Sequence, residues 1–334
     1  MSKSVIYGPI LVTGGAGFIG SHVVYALREK GIDVVVLDNL STGNRQLLPQ
    51  DITFIEGDAG DEVFVQTLLI KYSISAVMHF SGSIVVSESV KDPLAYYYNN
   101  TVVSRSLISA CVSAGVQTFI FSSTASVYGQ KDIMPVNEET PVDPESPYGR
   151  SKLMTEWMLD DLAKSSEMSF AVLRYFNVGG ADAQGRTGQC CPNATHLIKV
   201  ANEVANGKRP ELVIHGDDYD TPDGSCVRDF IHVSDLADAH VEVLQLLQYT
   251  KQSYVLNCGY GKGHSVKEVV AAYRPILGKD LKSVIGPRRP GDIAELIADP
   301  SRLMELTNWS PQYTNLTDII TSSLNWEKQM DAEG

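Results

Sequence analysis

The stretch "PILVTGGAGFIGSHVVYALREKG", residues 9–31, constrains the fold more than any other. An apolar, β-branched run ends at Thr13, glycines follow, and a helical pattern is under way by Ser21. Gly15, Gly17 and Gly20 satisfy G-x-G-x-x-G, and Gly14, Gly17 and Gly20 satisfy the related G-x-x-G-x-x-G. Such glycines permit a tight strand-to-helix turn and let the backbone N–H groups of a helix N-terminus approach a pyrophosphate. Asp38 closes the next β-run, roughly 20 residues on. A carboxylate there hydrogen-bonds ribose hydroxyls and repels a 2′-phosphate, which favours NAD over NADP.

The pattern then repeats. "DVVVLDN", "ITFIEGD", "SAVMHFSG", "QTFIFSS" and "SFAVLRYFN" are further apolar or β-branched runs, separated by helical stretches such as "TVVSRSLISACVSAG". Strands apolar on both faces and spaced by helices imply a parallel sheet covered on both sides. The expected fold is α/β: a Rossmann-type doubly wound sheet with a smaller, interleaved substrate-binding domain. Residues 1–177 are assigned to the NAD-binding domain, with a return near 228–259, where "SYVLNCG" is strand-like. Residues 178–330 supply most of the second domain. There "VGGADAQGRTGQCCPNAT" and "GDDYDTPDGSCVRD" read as long loops around a helix at "HLIKVANEVANGK". Loops of that length in a compact protein are usually functional.

Composition narrows the function. The 334 residues are 43% hydrophobic and 20% charged, a globular balance. A net charge of −13 argues against a nucleic-acid surface and against anionic membranes. No apolar run is long enough to span a bilayer. The five cysteines form no C-x-x-C pair, and no signal-peptide pattern opens the chain, so free thiols in a reducing cytoplasm are expected. No H-E-x-x-H or cysteine cluster supports a metal.

In "SPYGRSKLMTE", Tyr148 and Lys152 fall one helical turn apart on a shared face. The preceding β-run, "FIFSSTASVYG", places Ser122, Ser123 and Thr124 at its C-terminal end. Ligands of open α/β sheets bind outside those ends. The glycine loop, Asp38, Thr124, Tyr148 and Lys152 are therefore expected around one crevice. An ammonium and a positive nicotinamide both favour phenolate, so Tyr148 is expected below the usual ~10 and competent as a general base toward an alcohol.

With these motifs in place the chain resembles the UDP-glucose 4-epimerase (UDP-galactose 4-epimerase) family of the extended short-chain dehydrogenase/reductase superfamily. "TGGAGFIGSH", "LDNLSTG", "FIEGD", "HFSG", "FSSTASVYG", "SPYGRSKLMTE", "LRYFNVGGA", "VRDFIHVSDLADAH" and "RRPGD" follow the family's order and spacing. The resemblance implies an isomerase that oxidises C4 of a UDP-hexose with NAD, lets the 4-keto sugar turn over, and reduces it again. It assigns Gly14, Gly17 and Gly20 to the pyrophosphate, Asp38, Asn39 and Ser41 to the adenosine ribose, and Asp58 to the adenine. Phe80 and Ser81 match the cofactor wall, and Phe18, Ile19, Ala59, Gly82, Asn99, Ser122 and Tyr175 complete the implied NAD contacts. Thr124 and Tyr148 match the catalytic pair, and Lys152 the lysine that holds the nicotinamide ribose and tunes the tyrosine. Asn177, Arg228, Arg289 and Asp292 match substrate and UDP contacts, with His196, Leu197, His215 and Leu296 beside them. The helices at 94–115 and 146–165 resemble those of the family's four-helix dimer interface, so a homodimer is implied.

Four positions depart from the family pattern. Ile84 stands where several members carry Lys. His196 and His215 replace an Asn and an aromatic residue, and Leu296 replaces a Tyr or a small residue near the hexose. These touch substrate choice more than hydride chemistry. A UDP-glucuronate or UDP-pentose 4-epimerase is the nearest alternative. Nucleotide-sugar dehydratases commonly need an acid just after the catalytic Ser/Thr, where this chain has Ala125 and Ser126. A non-catalytic NAD-sensing protein would not need the Thr124–Tyr148–Lys152 set.

Overall fold

The computed structural model describes residues 8–191, 195–289 and 291–333. The first half alternates β1 (Ile10–Thr13), α1 (Phe18–Glu29), β2 (Val34–Asp38), β3 (Thr53–Glu56), α2 (Glu62–Lys71) and β4 (Ala76–His79). Then come α3 (Val86–Lys91), α4 (Pro93–Tyr97), a π-helical segment (Tyr98–Val102), α5 (Val103–Ala114), β5 (Thr118–Thr124), α6 (Pro147–Ser165) and β6 (Ser169–Tyr175). The second half contains β7 (Asn177–Gly179), α7 (Leu197–Ala205), β8 (Leu212–His215), β9 (Val227–His232), α8 (Val233–Thr250), β10 (Tyr254–Cys258) and β11 (Gly263–Ser265). It closes with α9 (Val266–Ala271), α10 (Arg274–Leu277), β12 (Ser283–Gly286), β13 (Glu295–Leu296), α11 (Ser301–Leu306) and α12 (Leu316–Glu333).

Seven strands form one sheet in the order β10-β6-β5-β4-β1-β2-β3, and every pairing within it is parallel. Burial on both faces explains why the inner strands β1, β2 and β4 are almost wholly apolar, whereas the edge strand β3 is half-exposed. Ile10, Val12, Val34, Val36, Met78, Ile120 and Leu173 point to a core shared with α1 and α8. Their neighbours Leu11, Val35, Leu37, Val77, Phe119, Phe121 and Val172 point to the opposite core, covered by α2, α5 and α6. The order reverses between β1 and β4, which opens the crevice at the carboxyl ends of both strands.

The later elements build a smaller unit. β9 pairs antiparallel with β11 and parallel with β7 and β13, while β8 pairs with β12. Its core gathers Ile198 and Ala201 of α7, Phe230 of β9, Val269 of α9 and Ile319 and Ile320 of α12. From the second half of the chain, β10 joins β6 in the main sheet, and α8 packs on α1. Both expected loops are shorter than their composition suggested, because Val178–Gly179 belongs to β7 and Val227 opens β9. Among the described residues no helix is long and apolar enough to cross a membrane.

Candidate active site

The phosphate cradle is set by backbone. Gly14 has φ +68°, and a Cβ there would sit 2.6 Å from the Ser81 nitrogen, so the turn lies against the segment leaving β4. Gly17 is the N-cap of α1 and has no side chain to bond the first turn, so those N–H groups face outward for an anion. Asp38 ends β2 and is buried; its oxygens accept N–H of Ala16 at 2.9 Å and Leu40 at 2.8 Å. Burial raises its carboxyl against the pull of those two bonds. Asn39 accepts from Ser41 N–H at 3.0 Å, and Asp58 accepts from Gly60 N–H at 2.8 Å, with Ala59 buried beside it. A strand-to-helix turn too tight for a Cβ at Gly14 or Gly20, helix N–H groups without a side-chain cap and a carboxylate at the end of β2 fit the dinucleotide expected from the sequence.

The reacting groups stand beside this cradle. Thr124 is the last residue of β5, and its side chain hydrogen-bonds to Tyr148. Tyr148 lies in the first turn of α6, which Ser146 starts by accepting from Gly149 N–H at 3.1 Å. Gly149 is required by packing: a Cβ there would meet the Ser126 carbonyl at 2.7 Å. One turn on, Lys152 Nζ donates to the Ser122 carbonyl at 3.1 Å and lies 5.0 Å from the centre of the Phe121 ring. Ser122 Oγ and the Tyr175 hydroxyl are hydrogen-bonded.

The electrostatics correct one expectation. Burial pushes the Tyr148 phenol up, and the bond from Thr124 only partly opposes it. The Lys152 ammonium is itself pulled down to about 8 by burial. The lysine is committed to the strand carbonyl, so its charge does not by itself hold the phenol below its ordinary value. His79 is a hydrogen-bonded core residue, between Thr13 Oγ1 at 2.7 Å and Ser104 Oγ at 2.9 Å, and is pulled to about 3 by burial and then by Lys152.

Some supporting residues escaped the sequence. Asn99 faces outward, where its Nδ2 donates to Ser83 Oγ at 3.1 Å. The buried neighbour is Asn100: its Oδ1 accepts Ser83 N–H at 2.8 Å, and its Nδ2 donates to Ser151 Oγ at 3.0 Å. It pins the Gly82–Ser83 segment to α6. The π-helical segment carries both asparagines, and such segments are frequent at functional sites. Phe80 packs against His240 of α8, with ring centres 4.9 Å apart. Behind the reacting groups, Glu156 of α6 and Arg174 of β6 form a buried ion pair with Nη2 and Oε2 2.5 Å apart. A double Asn and a Glu–Arg match 18 residues apart give no local pattern that would have singled them out.

The substrate-side residues are looser. Asn177 opens β7 and is exposed. His196 is the N-cap of α7, directly before Leu197, and its Nδ1 is buried with no hydrogen-bond partner among the described residues. His215 ends β8 and donates from Nδ1 to the Pro287 carbonyl at 3.2 Å. Arg228 of β9 already donates to three carbonyls, Val227 at 2.8 Å, Ala294 at 3.3 Å and Ile293 at 2.5 Å, so any bond to a diphosphate comes from its remaining N–H groups. Arg289 and Asp292 are exposed. Arg288 instead pairs with Asp218 at 2.7 Å and stacks over Tyr219 at 4.1 Å. Leu296 is buried in β13 in a cluster with Ala125, Leu153 and Phe176. Ile84 is exposed.

Comparison with known proteins settles the lineage. Residues 10–259 match the model of the NAD dependent epimerase/dehydratase family. A UDP-glucose 4-epimerase of Azospirillum brasilense is 49% identical over 322 residues, covering 96% of this chain and 92% of its own. The chain belongs to the UDP-glucose 4-epimerase family. Other members are close too. UDP-arabinose 4-epimerase 1 of Arabidopsis thaliana is 41% identical over 332 residues, with 96% of this chain and 79% of that protein covered. A crystal structure of UDP-glucose-4-epimerase from Stenotrophomonas maltophila, with bound NAD and formylated UDP-arabinopyranose, superposes with a TM-score of 0.94 at 38% identity, covering 98% and 100% of the two chains. The family's parallel sheet and NAD dependence are thus those of this chain.

Proposed function

We propose that this NAD-dependent epimerase interconverts UDP-galactose and UDP-glucose. The observation that carries the reading is the convergence of Thr124, Tyr148 and Lys152 on the mouth of the Gly14–Gly20 cradle. When bound, NAD would supply hydride acceptor and donor chemistry next to the sugar C4. Gly14, Gly17, Gly20 and Asp38 would hold it. Thr124 holds the 4-hydroxyl oxygen, and Tyr148 takes its proton and returns it on either face of the sugar. Lys152 fixes the ribose side and keeps positive charge near the phenol; because burial raises Tyr148, the positive nicotinamide must contribute to the tuning. Arg289, with the free N–H groups of Arg228, grips the UDP through permanently charged donors, and Asn177, His196, His215 and Leu296 border the sugar and base. Residues 1–177 with the 228–259 return serve the cofactor, and 178–330 mainly the nucleotide sugar.

A UDP-pentose substrate is the second reading. The A. thaliana relative is named for UDP-arabinose, and the S. maltophila structure holds a UDP-arabinopyranose derivative. Assaying the purified protein with UDP-galactose, UDP-glucuronate and UDP-pentoses, without added NAD, separates the two. Conversion of UDP-galactose to UDP-glucose supports the first; conversion of only a pentose or uronate overturns it. Denatured protein should release NAD(H); mainly NADP(H) would sink the role given to Asp38.

A homodimer in the cytoplasm completes the proposal. Leu94 (77% exposed), Tyr98 (60%) and Trp157 (56%) lie on the faces of α4, the π-helical segment and α6, beside a groove lined by Ile108, Val112, Met158 and Leu162. An apolar face of this kind is characteristic of an interface.

A further inference from the structure

Accepting Thr124, Tyr148 and Lys152 as the reacting set, we infer that Glu156 is a positioning residue, the fixed counter-charge that keeps Lys152 cationic and aligned, with Arg174 as the clamp that holds its carboxylate. Glu156 lies one helical turn beyond Lys152 on the same face of α6. Lys152 is 3% exposed and Glu156 5%. An ammonium buried so deeply loses hydration and needs an opposing charge to stay protonated.

The other groups around Lys152 do not provide one. From β4, His79 is neutral, held near 3. From β5 come the Phe121 ring and the Ser122 carbonyl. From β6, Tyr175 is a phenol raised by burial, and Arg174 is a cation. The π-helical segment presents the neutral Asn100, whose Oδ1 lies by Gly82 close to Nζ. From α4, Tyr96 is a phenol pushed up to about 12, and from α3, Glu88 acts on Tyr96. Tyr148, on α6 itself, is also raised. Glu156 is the carboxylate that opposes the effect of burial on Lys152.

Its bonds run to Ser123 and Arg174, the chain neighbours of the groups that hold the catalytic set. One oxygen accepts the Ser123 hydroxyl. Ser123 stands between Ser122, whose carbonyl takes the Lys152 ammonium, and Thr124, which bonds Tyr148. Arg174 Nε lies 3.2 Å from both oxygens, and its Nη1 donates to the Tyr128 hydroxyl at 3.1 Å. Tyr128 in turn donates to Asn257 Oδ1 of β10 at 2.7 Å. Arg174 precedes Tyr175, the partner of Ser122 Oγ. A pair serving only to join α6 to β6 would not need the Ser123 bond or the one-turn spacing to Lys152.

The test reads the lysine directly. In holoenzyme labelled with ¹⁵Nζ-lysine, Lys152 is assigned from its loss in Lys152→Arg and titrated without substrate. Replacing both partners of the pair, as Glu156→Met with Arg174→Met, leaves no orphaned buried charge. Its titration midpoint should fall by about one pH unit or more. The alkaline limb of kcat/KM should move down in pH with it. Glu156→Gln with Arg174→Met gives a second neutral core of different shape. A folded variant whose Lys152 midpoint is unmoved overturns the inference, even if kcat drops. Failure of both variants to fold also overturns it, since the pair would then be structural. Because the titration needs no turnover, wild-type protein that converts no UDP-sugar would refute the proposed reaction, while a shifted Lys152 midpoint in the variants would still leave the counter-charge standing.

Discussion

The two sides of the crevice are built differently. Around the nicotinamide end, Thr124, Tyr148, Lys152 and Ser122 are buried and tied to strand carbonyls, hydroxyls and an ion pair. Around the proposed sugar-nucleotide end, Asn177, Arg289 and Asp292 are exposed, and the Arg288–Asp218 ion pair, next to Arg289 in sequence, is open to water. A proton acceptor gains from a fixed geometry, because small displacements cost rate. A ligand that must release one face of a sugar and present the other gains from a loose pocket around a firmly held UDP. The contrast predicts that damage on the first side falls on kcat and damage on the second on KM or substrate preference.

The largest effect should come from Tyr148→Phe. It should fold and retain NAD, yet lose about 10²–10⁴ in turnover, the scale of acid–base removal. Turnover close to wild type would refute the assignment.

Next comes acid. His22, His79, His232 and His240 are held neutral, pulled to about 4, 3, 3 and 4, chiefly by burial. Unfolded, each protonates near ~6.5. Their contribution is therefore fully present above about pH 6.5 and is lost as pH falls toward the folded values. Asp229, raised to about 6 by burial, works oppositely: its contribution is full below its unfolded value and is lost as pH rises through 6. Asp38 and Asp238, also raised by burial, act in the same sense as Asp229, but the four histidines, joined by the lowered His196 and His264, outnumber these three carboxyls, so urea unfolding at pH 5 should show less stability than at pH 7, at about 1.4 kcal/mol per group per pH unit. A free energy unchanged over that range would mean the histidines ionise in place.

On the looser side, Leu296 tests sugar size. UDP-galactose and UDP-glucose should interconvert well and their N-acetyl analogues more slowly. Leu296→Tyr should selectively suppress the N-acetyl reaction by roughly tenfold to a hundredfold, and Leu296→Gly should enhance it. Unchanged ratios of kcat/KM in both variants would remove Leu296 from the pocket wall. The smallest effect belongs to Arg288→Ala. An exposed pair contributes about 0–1 kcal/mol, so KM should rise no more than roughly fivefold with kcat untouched. A large fall in kcat there would break the division between the two sides.

Legibility followed the same division. Five of the first six strands, β1, β2, β4, β5 and β6, were readable because both faces of each are buried, which leaves apolar runs between glycine-marked turns; β3 is a half-exposed edge strand, readable from its Phe54–Ile55 pair and the Gly57 that follows. The positions of Asp38 and Thr124 at strand ends, and of Tyr148 and Lys152 one turn apart on α6, were readable because apolar runs mark where strands stop and helical spacing fixes a shared face. β7, β11 and β13 were not, since strands of two or three residues carry no alternation. Glu156, in "LMTEWMLDD", looks like one more solvated helix charge; only Arg174, brought from another strand by tertiary packing, makes it interior. The rise of the Tyr148 phenol was hidden for a related reason. Desolvation depends on everything packed around a group, and two side chains one turn apart do not reveal it.

The position of β10 has a consequence during synthesis. β6 ends at Tyr175, but its outer neighbour begins at Tyr254. Until the ribosome has delivered that later segment, "SFAVLRY" is an open sheet edge of apolar and β-branched residues, a template for pairing with other chains. The same delayed stretch brings α8, the support of α1 beneath the phosphate turn. A nascent chain thus acquires the brace on the cofactor helix with residues 233–250 and the closed sheet with Tyr254–Cys258, in quick succession, and a fragment stopped before Val233 should be a sticky intermediate without a dependable grip on NAD.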